Sequence, residues 1–220
     1  MLRRAQIILI FLLFLVVSTL AEAKLKDEDW NPLVEGYVAH EAGNFKFENK
    51  VDEGSYDTVG VGLRGGYNFP YLFVGGEAYY ALPSFGGHKS LTTSTRESYP
   101  LADNYSLNYG GTLILKLGPL HVVGTVYFKS KLNGTIENSD PFGADGDYNY
   151  HGFGSRLALD VRIYKGLSIG AGVFHYSYDK YSLDRDVKTL SPANKADRPA
   201  LDLDGVSFTI NYNLPITIGK

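Results

Sequence analysis

Cysteine is absent from this 220-residue chain. That excludes a disulfide framework, a thiolate metal site and a lipidated N-terminal cysteine. Tryptophan and methionine occur once each. Neither charge sign dominates, since 21 Lys and Arg face 24 Asp and Glu for a net of −3, which leaves no basic patch for nucleic acid. Long apolar runs are almost lacking too. The one present lies at the start, where Ala5 to Leu20 is broken only by Gln6, Ser18 and Thr19. Basic Arg3 and Arg4 precede it and Ala21-Glu22-Ala23 follows, the pattern of a secretory signal cleaved after Ala23. The expected division is therefore residues 1–23 as a removed signal and 24–220 as one domain. Losing Arg3, Arg4 and Glu22 shifts the net charge to −4.

No second apolar run of spanning length follows, so no membrane-spanning helix is expected in 24–220. What is abundant is Tyr (17), Phe (12) and Gly (25), a composition of strands. The apolar period is two. From Asp57 to Phe69, Val59, Val61, Leu63, Tyr67 and Phe69 share one parity, and Thr58, Gly60, Gly62, Arg64 and Asn68 the other. Successive strand side chains point to opposite faces, so one face is apolar and the other small or polar. The split recurs along Tyr105–Leu117, Leu120–Leu132, Tyr150–Tyr164 and Leu203–Leu214, and Leu72–Leu82 is counted as a further strand. Val34–Glu48 is less regular, with Glu35 and Glu41 on its more apolar parity, and Leu167–Tyr181 loses alternation after Val173.

About eight strands result, several long enough for a tilted bilayer crossing of about 9–11 residues. Tight turns at Asn68–Tyr71, Gly118-Pro119 and Lys165-Gly166 alternate strictly with long polar links at Asn49–Tyr56, Pro83–Asn104, Asn133–Asn149 and Ser182–Ala200. A soluble lipid-binding barrel would carry an apolar interior. Here the minority face bears Arg64, Glu77, Lys116, Lys129, Arg156, Asp160 and Arg162 among Gly, Ser, Thr and Asn. That face suits a polar lumen, with the Leu/Val/Tyr/Phe face toward lipid. The expected fold is all-β: a closed antiparallel up-and-down transmembrane β-barrel. Arg64 and Glu77 flank the Pro70 turn at similar distance and should pair across neighbouring strands.

This pattern resembles the small eight-stranded outer-membrane proteins, the class of the OmpA membrane domain. It covers Lys24 to about Leu214 and is architectural. The strand Gly205-Val-Ser-Phe208-Thr-Ile210-Asn-Tyr212 looks like the terminal signal read by the barrel-assembly machinery, although Pro215–Lys220 departs from the usual terminal aromatic. The resemblance implies an integral protein of a Gram-negative outer membrane, among outer-membrane lipid and lipopolysaccharide, with surface-exposed loops.

Three sites could carry chemistry. The luminal charges could form an ion or small-solute pathway, or satisfy one another inside a filled lumen. His175-Tyr176-Ser177 resembles the H-x-S motif of the lipid A 3-O-deacylases. That implies Ser177 as nucleophile, His175 as base and Asp202 or Asp204 as the orienting acid of an esterase, with Tyr178 standing where that family has Asn. Asp145, Asp147 and Asn149 have the spacing that begins a calcium loop, but Tyr150 and Arg156 occupy the turn-glycine and closing-glutamate positions. No metal or other cofactor is expected. The leading expectation is a non-enzymatic envelope or surface-interaction protein acting through four long external loops, with an extracellular macromolecule as a candidate partner. A deacylase-like hydrolase and a narrow, porin-like pore are the alternatives.

Overall fold

The computed structural model of the chain describes residues 33–47, 52–90, 101–136, 146–164, 166–184 and 200–214. The expected signal, residues 1–23, and the tail Pro215–Lys220 lie outside them. The strands are β1 (Leu33–Phe47), β2 (Asp52–Asn68), β3 (Leu72–Ser90), β4 (Leu101–Leu117), β5 (Leu120–Ile136), β6 (Gly146–Tyr164), β7 (Leu167–Asp184) and β8 (Leu201–Leu214). Each pairs antiparallel with its neighbours in sequence, and β8 closes on β1. Closure leaves no unpaired edge, which a backbone surrounded by lipid requires.

The pairing fixes the barrel's dimensions. From Glu35 it runs through Arg64, Glu77, Gly110, Tyr127, Gly154, Tyr176 and Leu203 and returns to β1 at Phe45, a stagger of ten residues. Eight strands with such a stagger tilt by roughly 40° and enclose a space that side chains can fill. The short ends are tight. The Phe69 amide donates to the Leu72 carbonyl at 2.7 Å, and Gly118 and Gly166 take φ of 66° and 73°, which suits glycine at a hairpin corner.

At the long-link ends, β2 starts at Asp52, β3 runs to Ser90 and β7 to Asp184. Each extends into sequence expected to be loop. The backbone pairing continues there because beyond the lipid a strand needs no apolar face. On β1 the more apolar parity is luminal: Leu33, Glu35, Tyr37, Ala39, Glu41 and Phe45 point inward. The apparent loss of alternation in β7 has the same origin, because Phe174, Tyr176 and Tyr178 are buried in the lumen.

Large and small residues alternate around the lumen. Tyr37, Tyr79, Tyr127 and Tyr176, from β1, β3, β5 and β7, stack in succession at centroid separations of 5.8, 6.5 and 5.8 Å. The intervening strands present glycine. A Cβ on Gly62 would lie 2.0 Å from the Tyr37 ring, and one on Gly154 would lie 2.3 Å from the Tyr176 ring. Outward glycines meet no such limit, and a Cβ on Gly36 would have nothing within 4 Å. Gly62→Ala is expected to destabilise the refolded barrel by about 1–3 kcal/mol through overpacking, while Gly36→Ala stays near neutral. Urea unfolding read by the heat-modifiable gel mobility of the barrel distinguishes the two.

Candidate functional site

The lumen is built around one carboxylate. Glu77, on the luminal face of β3, is 4% exposed. Its Oε1 accepts from the Tyr37 hydroxyl at 2.5 Å, from Arg156 Nη2 at 2.6 Å and from the Tyr127 hydroxyl. Its Oε2 accepts from Arg64 Nε at 2.6 Å and lies 2.8 and 3.0 Å from the Thr112 and Thr125 hydroxyls, which also hydrogen-bond each other. These donors come from β1, β2, β4, β5 and β6. Arg64 also reaches Glu35 at 2.7 Å and lies 3.9 Å from Asp160. Both guanidinium carbons lie within 5 Å of the Tyr37 ring centroid, at 4.5 Å for Arg64 and 4.7 Å for Arg156, a cation–π geometry. The other strands join through side bonds. Tyr176 on β7 donates to Glu41 on β1 at 3.2 Å, and Asn211 on β8 donates to Asp160 on β6 at 3.1 Å.

Both ends of this ionic layer are closed. Leu33, Phe73, Ile114, Val123 and Ala158 form an apolar cluster near the short turns. On the long-link side, Phe45, Tyr56, Phe85, Leu132, Leu201 and Leu203 are part of a second cluster, capping the tyrosine stack.

Of the seven charges expected inside, Arg64, Glu77, Arg156 and Asp160 are buried in the network. Lys116 and Arg162 sit half-buried near the short turns, where Lys116 Nζ donates to Asn68 and to the Phe69 carbonyl. Lys129 is corrected outright, because it is exposed on the outer face. The register shifts on both sides of β5, at Tyr109/Gly110 and at Tyr127/Ser130, so Phe128 and Lys129 both turn outward and the parity beyond them reverses. Glu35 and Glu41 enter the network although their parity in β1 reads as apolar. Their signal was the break in β1's pattern.

His175 and Ser177 lie on the outer face of β7, opposite Asp204 and Asp202 of β8. His175 Nδ1 is 2.6 Å from Asp204 Oδ1, and Ser177 Oγ donates to Asp202 Oδ1 at 2.7 Å. These are two parallel cross-strand pairs. A relay would have the serine donate to the imidazole, but its proton is directed at Asp202. His40 and Asp57 make a similar outward pair on β1 and β2 at 3.0 Å. Asp145 of the calcium-loop candidate lies outside the described residues. Asp147 and Asn149 are strand residues of β6, paired with Thr135 and Asn133, without the turn a calcium loop needs.

Removing one partner of a buried ion pair leaves the other charge stranded. Arg156 Nε and Nη1 have no hydrogen-bond partner, so Glu77 is the only carboxylate paired with Arg156 among the described residues. Glu77→Gln is expected to destabilise the barrel by about 3–5 kcal/mol. Adding Arg156→Met should recover part of that loss, a coupling that a double-mutant cycle on the urea midpoints measures.

No protein-family model and no curated protein matches the chain. Among solved structures it is similar to Neisserial surface protein A, with 11% identity and a TM-score of 0.49, over 83% of this chain and 97% of that one. The attachment invasion locus protein Ail of Yersinia pestis, solved with the heparin analogue sucrose octasulfate, gives 11% and 0.46 over 83% and 99%. The outer membrane protein OprG of Pseudomonas aeruginosa gives 13% and 0.43 over 84% and 95%. In this chain Val61, Leu63, Val126, Leu157, Val173 and Ile210 stand exposed on the outer wall while Arg64, Glu77 and Arg156 are sealed inside. A closed sheet that is apolar outside and ionic inside is the inverse of a soluble protein, and the chain is an integral eight-stranded transmembrane β-barrel of the outer-membrane type.

Proposed function

We propose that this barrel is a non-enzymatic envelope protein that works by presenting its long-link end outside the cell. The observation that carries the reading is the unequal height of the wall. On the short-turn side the strands end at hairpins immediately below the apolar belt. On the other side β3 continues from Leu82 to Ser90 and β7 from Ser177 to Asp184, raising a paired, polar palisade beyond the lipid. Such a palisade carries the upper end of the paired wall beyond the headgroups, where an extracellular macromolecule can reach it.

The filled lumen supports the same reading against a pore. The ion-paired layer is capped by apolar clusters at both ends, and conduction would require stacked aromatic rings to leave their packing. The direction of the Ser177 hydroxyl supports it against an esterase.

The refolded protein is therefore expected to give no stable conductance in planar bilayers. Overexpression, His175→Ala and Ser177→Ala should all leave the lipid A acyl pattern unchanged by mass spectrometry. An altered pattern that depends on Ser177 would restore the hydrolase reading. Orientation is testable because the chain has no cysteine. On intact cells a membrane-impermeant maleimide should label Ser84→Cys and spare Tyr71→Cys. The reverse result would sink external display.

A further inference from the structure

The bulge in β5 has a consequence for the outer wall. Without it, Lys129 and Lys131 would face the lumen and Ser130 and Leu132 the lipid. With it, Ser130 and Leu132 are buried, Lys129 is exposed and Lys131 half-exposed on the outside. The height of the two lysines follows from strand geometry. From Leu120, the first residue of β5, nine residues at about 3.3 Å rise and roughly 40° tilt climb ~22 Å to Lys129. The apolar band of such barrels is about 25 Å tall. The outward residues below, Val122 and Val126, are apolar, and Tyr80 and Tyr105, stacked at 6.3 Å, lie outward on β3 and β4 with Tyr109. Tyrosines so placed mark the headgroup level.

Charge on this sector has one sign. Lys129 is the register partner of Tyr109, Lys131 of Leu107 on β4 and of His151 on β6. Among the described side chains, the outer face of β4, β5 and β6 carries no Asp or Glu, and neither lysine has a carboxylate partner. The opposite sector, β7 through β2, holds Asp57, Asp179, Asp202 and Asp204. Two unpaired ammonium groups at the lipid edge can extend only toward headgroups.

We propose that Lys129 and Lys131, with His151 beside them, form a binding site on the barrel wall for the phosphate of an outer-leaflet lipid headgroup. The bulge is the device that builds it, by re-aiming two cations out of a lumen whose charges are already matched. The site lies below the external palisade and does not depend on what that palisade binds.

The test uses the mature, refolded barrel in non-ionic detergent, titrated with bisphosphorylated lipid A or with the same lipid dephosphorylated, and read by native mass spectrometry. The wild type should bind the phosphorylated form selectively. Lys129→Gln with Lys131→Gln should weaken that binding about thirtyfold, the effect of two basic residues near an anionic surface, and leave the dephosphorylated form unaffected. Lys129→Arg with Lys131→Arg should retain it. Lys46→Gln, which removes one outward cation from the acidic sector, should change nothing. Equal binding of the two lipids by the wild type, or an equal loss in Lys46→Gln, would overturn the proposal.

Discussion

A single carboxylate at the barrel's centre constrains much of what surrounds it. Glu77 is held by donors from five other strands, so its position fixes the register of most of the wall at one depth. The arrangement also answers a problem of charge. Arg64 and Arg156 are buried, and a guanidinium removed from water without a partner is too costly to persist. Glu77 bridges the two, Glu35 supplies a second negative charge at Arg64, and the Tyr37 ring lies beside both cations. A soluble protein would place an apolar core here. A membrane barrel can place charge here, because its outer face already supplies the apolar surface, and it confines the lumen's own apolar clusters to the two ends of the ionic layer.

Glu77 could not be reached if the lumen were uniformly bulky. The tyrosines of β1, β3, β5 and β7 occupy the bore because glycines on the strands between give up the space, as at Gly62 beneath Tyr37 and Gly154 beneath Tyr176. At the level of the tyrosine stack the filling is thus a property of strand parity: one set of strands contributes rings, the other contributes room. Tyrosine serves better than phenylalanine at these depths since its hydroxyl reaches the ionic layer, as Tyr37 and Tyr127 do toward Glu77 and Tyr176 does toward Glu41.

The same arrangement explains what was legible in the sequence and what was not. The eight strands and the alternation of short and long connections were readable because lipid demands a run of outward apolar residues, and Val59, Val61 and Leu63 supply it without interruption. Arg64 and Glu77 could be placed together because both are counted from one tight turn. Legibility failed where the lumen is aromatic. In β7 the inward Phe174, Tyr176 and Tyr178 are as apolar as the outward Val173, so hydropathy carries no parity there. Lys129 was misplaced for a different reason: a bulge adds one residue without any compositional mark, and every residue beyond it changes face. The Asp202 and Asp204 partners of Ser177 and His175 were within reach of parity, but which hydroxyl proton goes where is a matter of distances no sequence states.

The functional reading follows from where this protein leaves freedom and where it does not. Inside, each strand carries side chains that are packed or ion-paired across the bore, and any motion that opened a path would strand Arg64 or Arg156. Along the lipid, the wall is aliphatic and aromatic, broken at the outer edge by paired imidazoles and carboxylates on one sector and by lysines on the other. Above that edge the strands persist although lipid no longer requires them. Pairing outside the bilayer is marginal unless it supports something, and here β2 stays paired with β3 out to Asp52 and Ser90, and β6 with β7 out to Asp147 and Asp184. A molecule whose interior is locked and whose outer end is extended has its capacity for change and contact at that end, with the headgroup-level lysines setting how it is seated among its lipids.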